Sequence, residues 1–281
     1  MAPDVTKDDV KDFYADLGNI LEKMSTGGNL HGGYYDDEHT DHESAVENMQ
    51  RKVAEAVDVG PGDRVLDVGC GIGGPAVWLA KECGAEVVGI NIDDDQLELC
   101  RRRAADEGVE DRVSFRHDDL TEMETLDDDS FDVVFAIEAV TYAEDKSEFA
   151  EQACRVLNDG GRLTVGEGFL TERDLTPEDE ELIERICTLW TVPGMDHIDD
   201  FTDALTDEGF TNVQVRDASG NVEKSTERLA RFSRIVGPFL RVLELFGLTN
   251  QSQIDVLYAY RYQQKAHERD LTSFAIVSAE C

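Results

Sequence analysis

The sequence predicts an α/β fold: a mostly parallel, seven-stranded sheet with helices on both faces. Three observations predict it. Between residues 63 and 170, short apolar stretches alternate with helical stretches five times. Buried parallel strands read as apolar runs, and each crossover between them needs a helix. A turn with four glycines in six positions (Gly69, Gly71, Gly73, Gly74) joins the first strand to the first of these helices. At 281 residues the chain can build one sizeable domain with insertions.

That turn lies within R-V-L-D-V-G-C-G-I-G-G-P-A-V-W-L-A, residues 64–80. Glycine opens backbone angles closed to other residues and lets the chain approach a ligand closely. A tight strand-to-helix turn of this kind marks a nucleotide-type site at the carboxyl end of a parallel strand. The spacing alone satisfies both a dinucleotide fingerprint (Gly69, Gly71, Gly74) and a methyl-donor pattern (Gly69, Gly71, Gly73). Asp67 favours the second. A carboxylate two residues before the first glycine repels a pyrophosphate but attracts the amino group and sulfonium of S-adenosylmethionine. A dinucleotide site also prefers an acid about 20 residues beyond the turn, and the second strand closes on Asn91 instead.

In chain order, residues 1–57 form an expected helical cap. Val10, Phe13, Tyr14 and Leu17 fall on one helical face. The glycine-rich stretch 27–35 then interrupts helix, and 44–57 is amphipathic again. His39 and His42 lie among Asp36, Asp37 and Asp41, which reads as a solvated acidic loop rather than a metal site; no metal is expected. Residues 58–170 are the expected cofactor-binding core. Its strands are placed at 64–68, 86–92, 113–116, 131–137 and 162–167. Its helices are placed at 75–83, 94–107, a short one after Asp119, and 146–157, stopped by the turn Asn158-Asp159-Gly160-Gly161. Residues 171–200 are a helical insertion around Leu182, Ile183, Ile186, Leu189 and Trp190. Residues 201–281 carry a helix at 201–208, the last two strands at 212–217 and 271–279, and a greasy helical insertion at about 221–268. Its Phe232, Ile235, Val236, Phe239, Leu240, Leu243, Phe246 and Tyr260 exceed what one packed face needs. We therefore expect a lid over the carboxyl ends of the strands.

Acidic residues number 62 against 26 basic, a net charge of −36. This disfavours nucleic acid, whose binding rests on Lys and Arg neutralising phosphates, and an anionic membrane surface. No apolar run approaches the ~18 residues of a membrane span, so no stable membrane insertion is expected. The acid is spread in runs such as Asp93-Asp94-Asp95 and Asp127-Asp128-Asp129. At molar salt the Debye length falls to ~3 Å and screens such self-repulsion, so a halophilic protein is expected. Cysteines at 70, 83, 100, 154, 187 and 281 include no C-x-x-C pair and read as reduced thiols. The amino terminus lacks a basic-then-apolar signal, which points to a cytoplasmic protein.

Over nearly its whole length the chain resembles the class I S-adenosylmethionine-dependent methyltransferases. The small-molecule enzymes come nearest, including sterol C-methyltransferases, tocopherol methyltransferases and rebeccamycin-type sugar O-methyltransferases. The motifs L-D-V-G-C-G-I-G-G-P-A, F-A-I-E-A-V-T-Y-A-E-D-K and N-L-H-G-G-Y-Y-D carry the resemblance. It implies a Rossmann-like fold with S-adenosyl-L-methionine as cofactor. Carried over by position, it implies that Asp67, Gly69 and Gly71 hold the methionine end. Asn91, Ile92 and Gln96 would meet the ribose and adenine. Asp119 and Leu120 would flank the adenine edge, and Ile137 would offer a backbone carbonyl to the amino group. Tyr14, His31 and Gly32 would close over the cofactor.

The sugar O-methyltransferases place histidines just after the fourth strand. Here Thr141 and Tyr142 stand there, so a histidine base is not implied. Glu138, Tyr142 and Glu167 are the catalytic candidates. Carboxylates and aromatic faces would serve a carbocation formed on an alkene, or a cationic amine, and a hydroxyl acceptor would need a general base. The expected reaction is methyl transfer to a small, apolar, isoprenoid or quinone-like acceptor, at carbon. The alternatives are O- or N-methylation of a natural product or amine, as in betaine-type osmolyte synthesis, and a protein that binds S-adenosylmethionine without transfer.

Overall fold

The computed structural model describes residues 5–17 and 25–281; the part of the expected cap at 18–24 lies outside them. The described elements run α1 (Lys7–Leu17), α2 (His42–Glu55), β1 (Arg64–Val68), α3 (Gly74–Trp78), β2 (Glu86–Asn91), α4 (Asp94–Asp106), β3 (Val113–His117) and β4 (Phe131–Ile137). There follow α5 (Lys146–Val156), β5 (Leu157–Leu170), α6 (Pro177–Trp190), α7 (Ile198–Asp207), β6 (Thr211–Asp217), α8 (Ser219–Glu244), α9 (Gln251–Glu268) and β7 (Thr272–Glu280). The strands form one sheet in the order β3-β2-β1-β4-β5-β7-β6. Only β7 runs against its neighbours. The order reverses between β1 and β4, where a sheet of this type opens a crevice at its carboxyl edge.

Local chemistry explains the element starts. Asp41 opens α2 by accepting the Ser44 N–H at 3.0 Å, and Asp93 opens α4 through the N–H groups of Asp95 and Gln96. Caps of this kind contribute about 1 kcal/mol each. The central strands are buried on both faces. Val65, Val87, Val133 and Phe135 pack beneath α2, α3 and α4, and Leu66, Val88, Val134 and Leu163 pack against α5 and α7.

Four expectations need correction. The segment after Asp119 is a series of turns, not a helix, because the Asp118 carboxylate draws in the N–H groups of Glu124 and Thr125. The turn expected at 158–161 falls within the bounds of β5: the chain bends at Gly160, at φ +75°, and pairs with the chain end through Gly160 N–H to Cys281 O at 2.9 Å. The greasy stretch from 223 is two helices. Gly247, at φ +67°, breaks it, and Asn250 caps α9 through the Gln253 N–H. Finally, Cys154 and Cys281 are joined in a disulfide with their Cα atoms 5.6 Å apart, so the cysteines are not all thiols. The antiparallel return of β7 beside β5 brings the chain end to α5, a meeting that 127 residues of separation hide. Cys70, Cys83, Cys100 and Cys187 are free.

Candidate active site

A cavity of about 920 Å³ opens at the carboxyl edge of β1, β2 and β4, large enough for two small ligands side by side. The glycine turn forms its floor. Gly69 sits at φ +64° and Gly71 at φ +51°. A Cβ on Gly69 would stand 2.6 Å from the Ala139 Cβ, so this position needs glycine for space as well as angle. Asn91, at the end of β2, pins the turn by donating to Gly71 O at 3.2 Å, and it also donates to Gln96 Oε1 at 3.1 Å.

Asp67 lies one layer beneath the turn and is absent from the cavity wall. It is 2% exposed and its Oδ2 has no hydrogen-bond partner. Burial pushes its carboxyl up to about 8, against a bond from the Ala76 N–H. A cation brought close to such a group favours its ionised form, the proton leaving to solvent.

Two further carboxyls stand at the ends of β4 and β5. Glu138 holds φ +50°, a left-handed angle that costs a non-glycine residue about 1–3 kcal/mol. The bend turns its side chain into the cavity, where Oε1 accepts the Gly32 N–H at 3.1 Å. Glu138 is exposed to the cavity yet enclosed by protein. That enclosure raises its carboxyl to about 7, and the Glu167 charge adds to the rise. Glu167 is buried and accepts the N–H groups of Thr141 and Gly168, each at 3.0 Å. Burial still lifts it to about 7. The short turn Val140–Tyr142 is therefore held by Glu167 and presents Tyr142 to the cavity.

The amino-terminal segment covers this arrangement. Tyr14 of α1 meets Tyr142, hydroxyl to hydroxyl, at 2.8 Å. Lys7 pairs with Asp119 at 3.1 Å, tying α1 to the loop after β3. His31 Nδ1 lies 2.8 Å from Gly32 O. A carbonyl only accepts, so Nδ1 carries the proton and Nε2 is a bare lone pair, buried without a partner. Burial pushes this imidazole down to about 4, so it is neutral at physiological pH.

Apart from Asp67, every site residue predicted from sequence lines this one cavity: Tyr14, His31, Gly32, Gly69, Gly71, Asn91, Ile92, Gln96, Asp119, Leu120, Ile137, Glu138, Tyr142 and Glu167. Sequence reasoning did not single out Trp190 of α6 as a site residue; its ring meets that of Tyr260 of α9, from the stretch expected to form a lid, edge to face at 5.2 Å on the cavity wall. It also missed Ser225 and Leu229 of α8. Periodicity places Trp190 on the apolar face of an insertion helix, and no local pattern says which such face meets a cavity.

Val222, Leu229, Val256 and Tyr260 wall the cavity, but Phe232, Ile235, Phe239, Leu245, Phe246 and Leu248 point outward. Those outward residues cannot be counted toward an apolar acceptor.

The family described as "Methyltransferase domain" matches residues 60–219. The chain belongs to this methyltransferase family. It is an S-adenosylmethionine-dependent methyltransferase of small molecules, as the resemblance of its motifs implied. The methyltransferase GfsG of Streptomyces halstedii is 37% identical over 75% of this chain and 76% of its own length. The chloroplastic tocopherol O-methyltransferase of Arabidopsis thaliana is 26% identical over 76% of this chain and 66% of its own length. Among solved structures, the [4+2]-cyclase SpnF superposes with a TM-score of 0.79 at 22% identity, over 99% of this chain and 97% of its own. At that identity the likeness concerns the fold, and one fold hosts many chemistries.

Proposed function

We propose that the enzyme methylates a small, largely apolar acceptor at a hydroxyl oxygen. The observation that carries this reading is the pair Glu138 and Glu167, raised to about 7 inside a chamber walled by Leu30, Leu229, Trp190, Met195 and Tyr260. A general base works best when its proton affinity sits near the operating pH.

The residues fit the cofactor on two counts. The glycine turn leaves a cradle that side chains would fill, and Asp67 Oδ2 is a buried acceptor without a donor. In this reading Gly69 and Gly71 hold the methionine end, with the Asp67 carboxyl buried beneath them, and Ile137 offers its carbonyl. Asn91, Ile92 and Gln96 take the ribose and adenine, with Asp119 and Leu120 along the adenine edge. When bound, S-adenosylmethionine supplies an electrophilic methyl group on a sulfonium.

The chain's own task is then to align the acceptor oxygen and exclude water. Glu138 takes the hydroxyl proton on the carboxylate oxygen not engaged by Gly32. Glu167, committed to two backbone N–H groups, keeps the proton affinity of Glu138 high and holds the turn that carries Tyr142. Tyr14 and His31 close the chamber from the amino-terminal side.

A second reading, transfer to an alkene carbon, is favoured by one observation: Tyr14, Tyr142 and Tyr260 gather around the same two carboxyls. Aromatic faces and carboxylates stabilise a carbocation. The deciding experiment supplies cofactor with a trideuterated methyl group, together with a prenylated phenol and its deoxy analogue. Label on the phenol oxygen, with the deoxy compound inert and Glu138→Gln at least 100-fold slower, supports the proposal. Label on carbon in both compounds would replace it with the second reading.

A further inference from the structure

Helix α8 is apolar on the wrong side. Toward α9 it turns the small residues Ala230, Ser233 and Gly237, all buried. A Cβ on Gly237 would stand 2.8 Å from Arg261 Nη2 and 3.2 Å from the Tyr258 ring. Arg261 also donates to Ser233 Oγ at 2.8 Å. Toward solvent, α8 and the turn after it present Phe232, Ile235, Phe239, Val242, Leu245, Phe246 and Leu248, each between 49% and 82% exposed.

The spacing is informative. Phe232, Ile235, Phe239, Val242 and Phe246 follow one another at alternating intervals of three and four residues. That is the narrow seam by which one helix packs along another, not the broad stripe by which a helix covers a core. The area is informative as well. The seven side chains expose the equivalent of more than four whole apolar residues, on the order of 800 Å². The largest apolar patch on a typical monomer is ~300–600 Å², and a stable pair needs ~800 Å² from each partner. Charge agrees. In a chain with 62 acidic residues, none stands between Glu227 and Glu244, while Arg228, Arg231, Arg234 and Arg241 do. This is the stretch where two such acidic molecules can meet without carboxylates facing each other.

We infer that this seam pairs with the same seam of a second copy, α8 against α8, antiparallel about a two-fold axis near Phe239. Antiparallel pairing sets Phe232 of one copy against Phe246 of the other, and brings Arg234 level with Glu244 of the other copy. A two-fold contact of this kind closes on itself and leaves no stripe uncovered. The opposite end of α8 carries Val222, Ser225 and Leu229 on the cavity wall.

Sedimentation equilibrium in 0.2 M and 2 M potassium chloride tests this. We expect a dimer that tightens at least tenfold in the higher salt, because salt screens the repulsion between two bodies of charge −36. Phe239→Glu should give a monomer with unchanged circular dichroism and unchanged affinity for S-adenosylmethionine. Ile235→Asp is the second variant should the first misfold. A wild-type monomer at 100 µM (about the top of the assay range) in 2 M salt would overturn the inference, as would a dimer unaffected by both variants. A monomer that co-sediments with anionic vesicles would overturn it in favour of a lipid surface.

Discussion

Binding of S-adenosylmethionine should release protons, and the structure sets how many. In the free protein Asp67 sits at about 8 and Glu138 and Glu167 at about 7, all raised chiefly by burial. At pH 7 Asp67 is therefore mostly protonated and the two coupled glutamates partly so. The ligand carries an ammonium and a sulfonium, and a cation beside a buried carboxyl favours its ionised form. Release of about one to two protons per site follows at pH 7. The sign is fixed by linkage: a group that must lose a proton to bind makes affinity rise with pH. Affinity should climb by roughly tenfold or more between pH 6 and pH 8 and level off above pH 9. Calorimetric titration in two buffers of different ionisation enthalpy counts the protons directly. Asp67→Asn should lower that count at pH 7, and S-adenosylhomocysteine, lacking the sulfonium, should release fewer. A binding enthalpy identical in both buffers would refute the reasoning, because the buried carboxyls would then not face the bound charge.

Gly71→Val should lower cofactor affinity at least 100-fold in a folded protein. Gly71 holds φ +51°, an angle a β-branched residue does not take without strain, and unchanged affinity would remove the turn from the site. Glu167→Gln should slow turnover at least tenfold, more than it weakens cofactor binding; wild-type rates would take Glu167 out of the chemistry. The melting temperature should rise as potassium chloride is raised from 0.1 to 2 M, and indifference to salt would count against a surface adapted to it. Thiol titration of the denatured, unreduced protein should find four reactive thiols, with Cys154 and Cys281 paired; six would contradict the bridge.

The core was readable because its signals are local. The apolar runs at β1, β2 and β4 and the glycine turn between β1 and α3 each depend on residues within a few positions, and the ends of these three strands fall within a residue of those expected, whereas β5 begins five residues earlier and ends three later than 162–167. The cofactor-side candidates were readable for the same reason, since they sit at the ends of those strands. What escaped depends on distant meetings. Tyr260 reaches Trp190 only because α9 packs on α6, and the Cys154–Cys281 pair exists only because β7 returns beside β5. The resemblance gives Asp67 a role at the methionine end because motif spacing reports order along the chain; the layer in which its side chain ends up depends on how α3 packs over β1. The outward face of α8 was misjudged for a related reason. Periodicity says that Phe232, Ile235 and Phe239 share a face, and it is silent on what that face meets. The Gly247 and Asn250 signals that split the long helix were present, but the apolar residues around them outweighed them.

The most direct measurement of the central claim is photo-crosslinking of radiolabelled S-adenosylmethionine, followed by peptide mapping. Label is predicted on peptides containing residues 29–32, 69–75 and 91–96, which line one cavity, and excess S-adenosylhomocysteine should compete it away. Label elsewhere, or label that survives competition, would contradict the account.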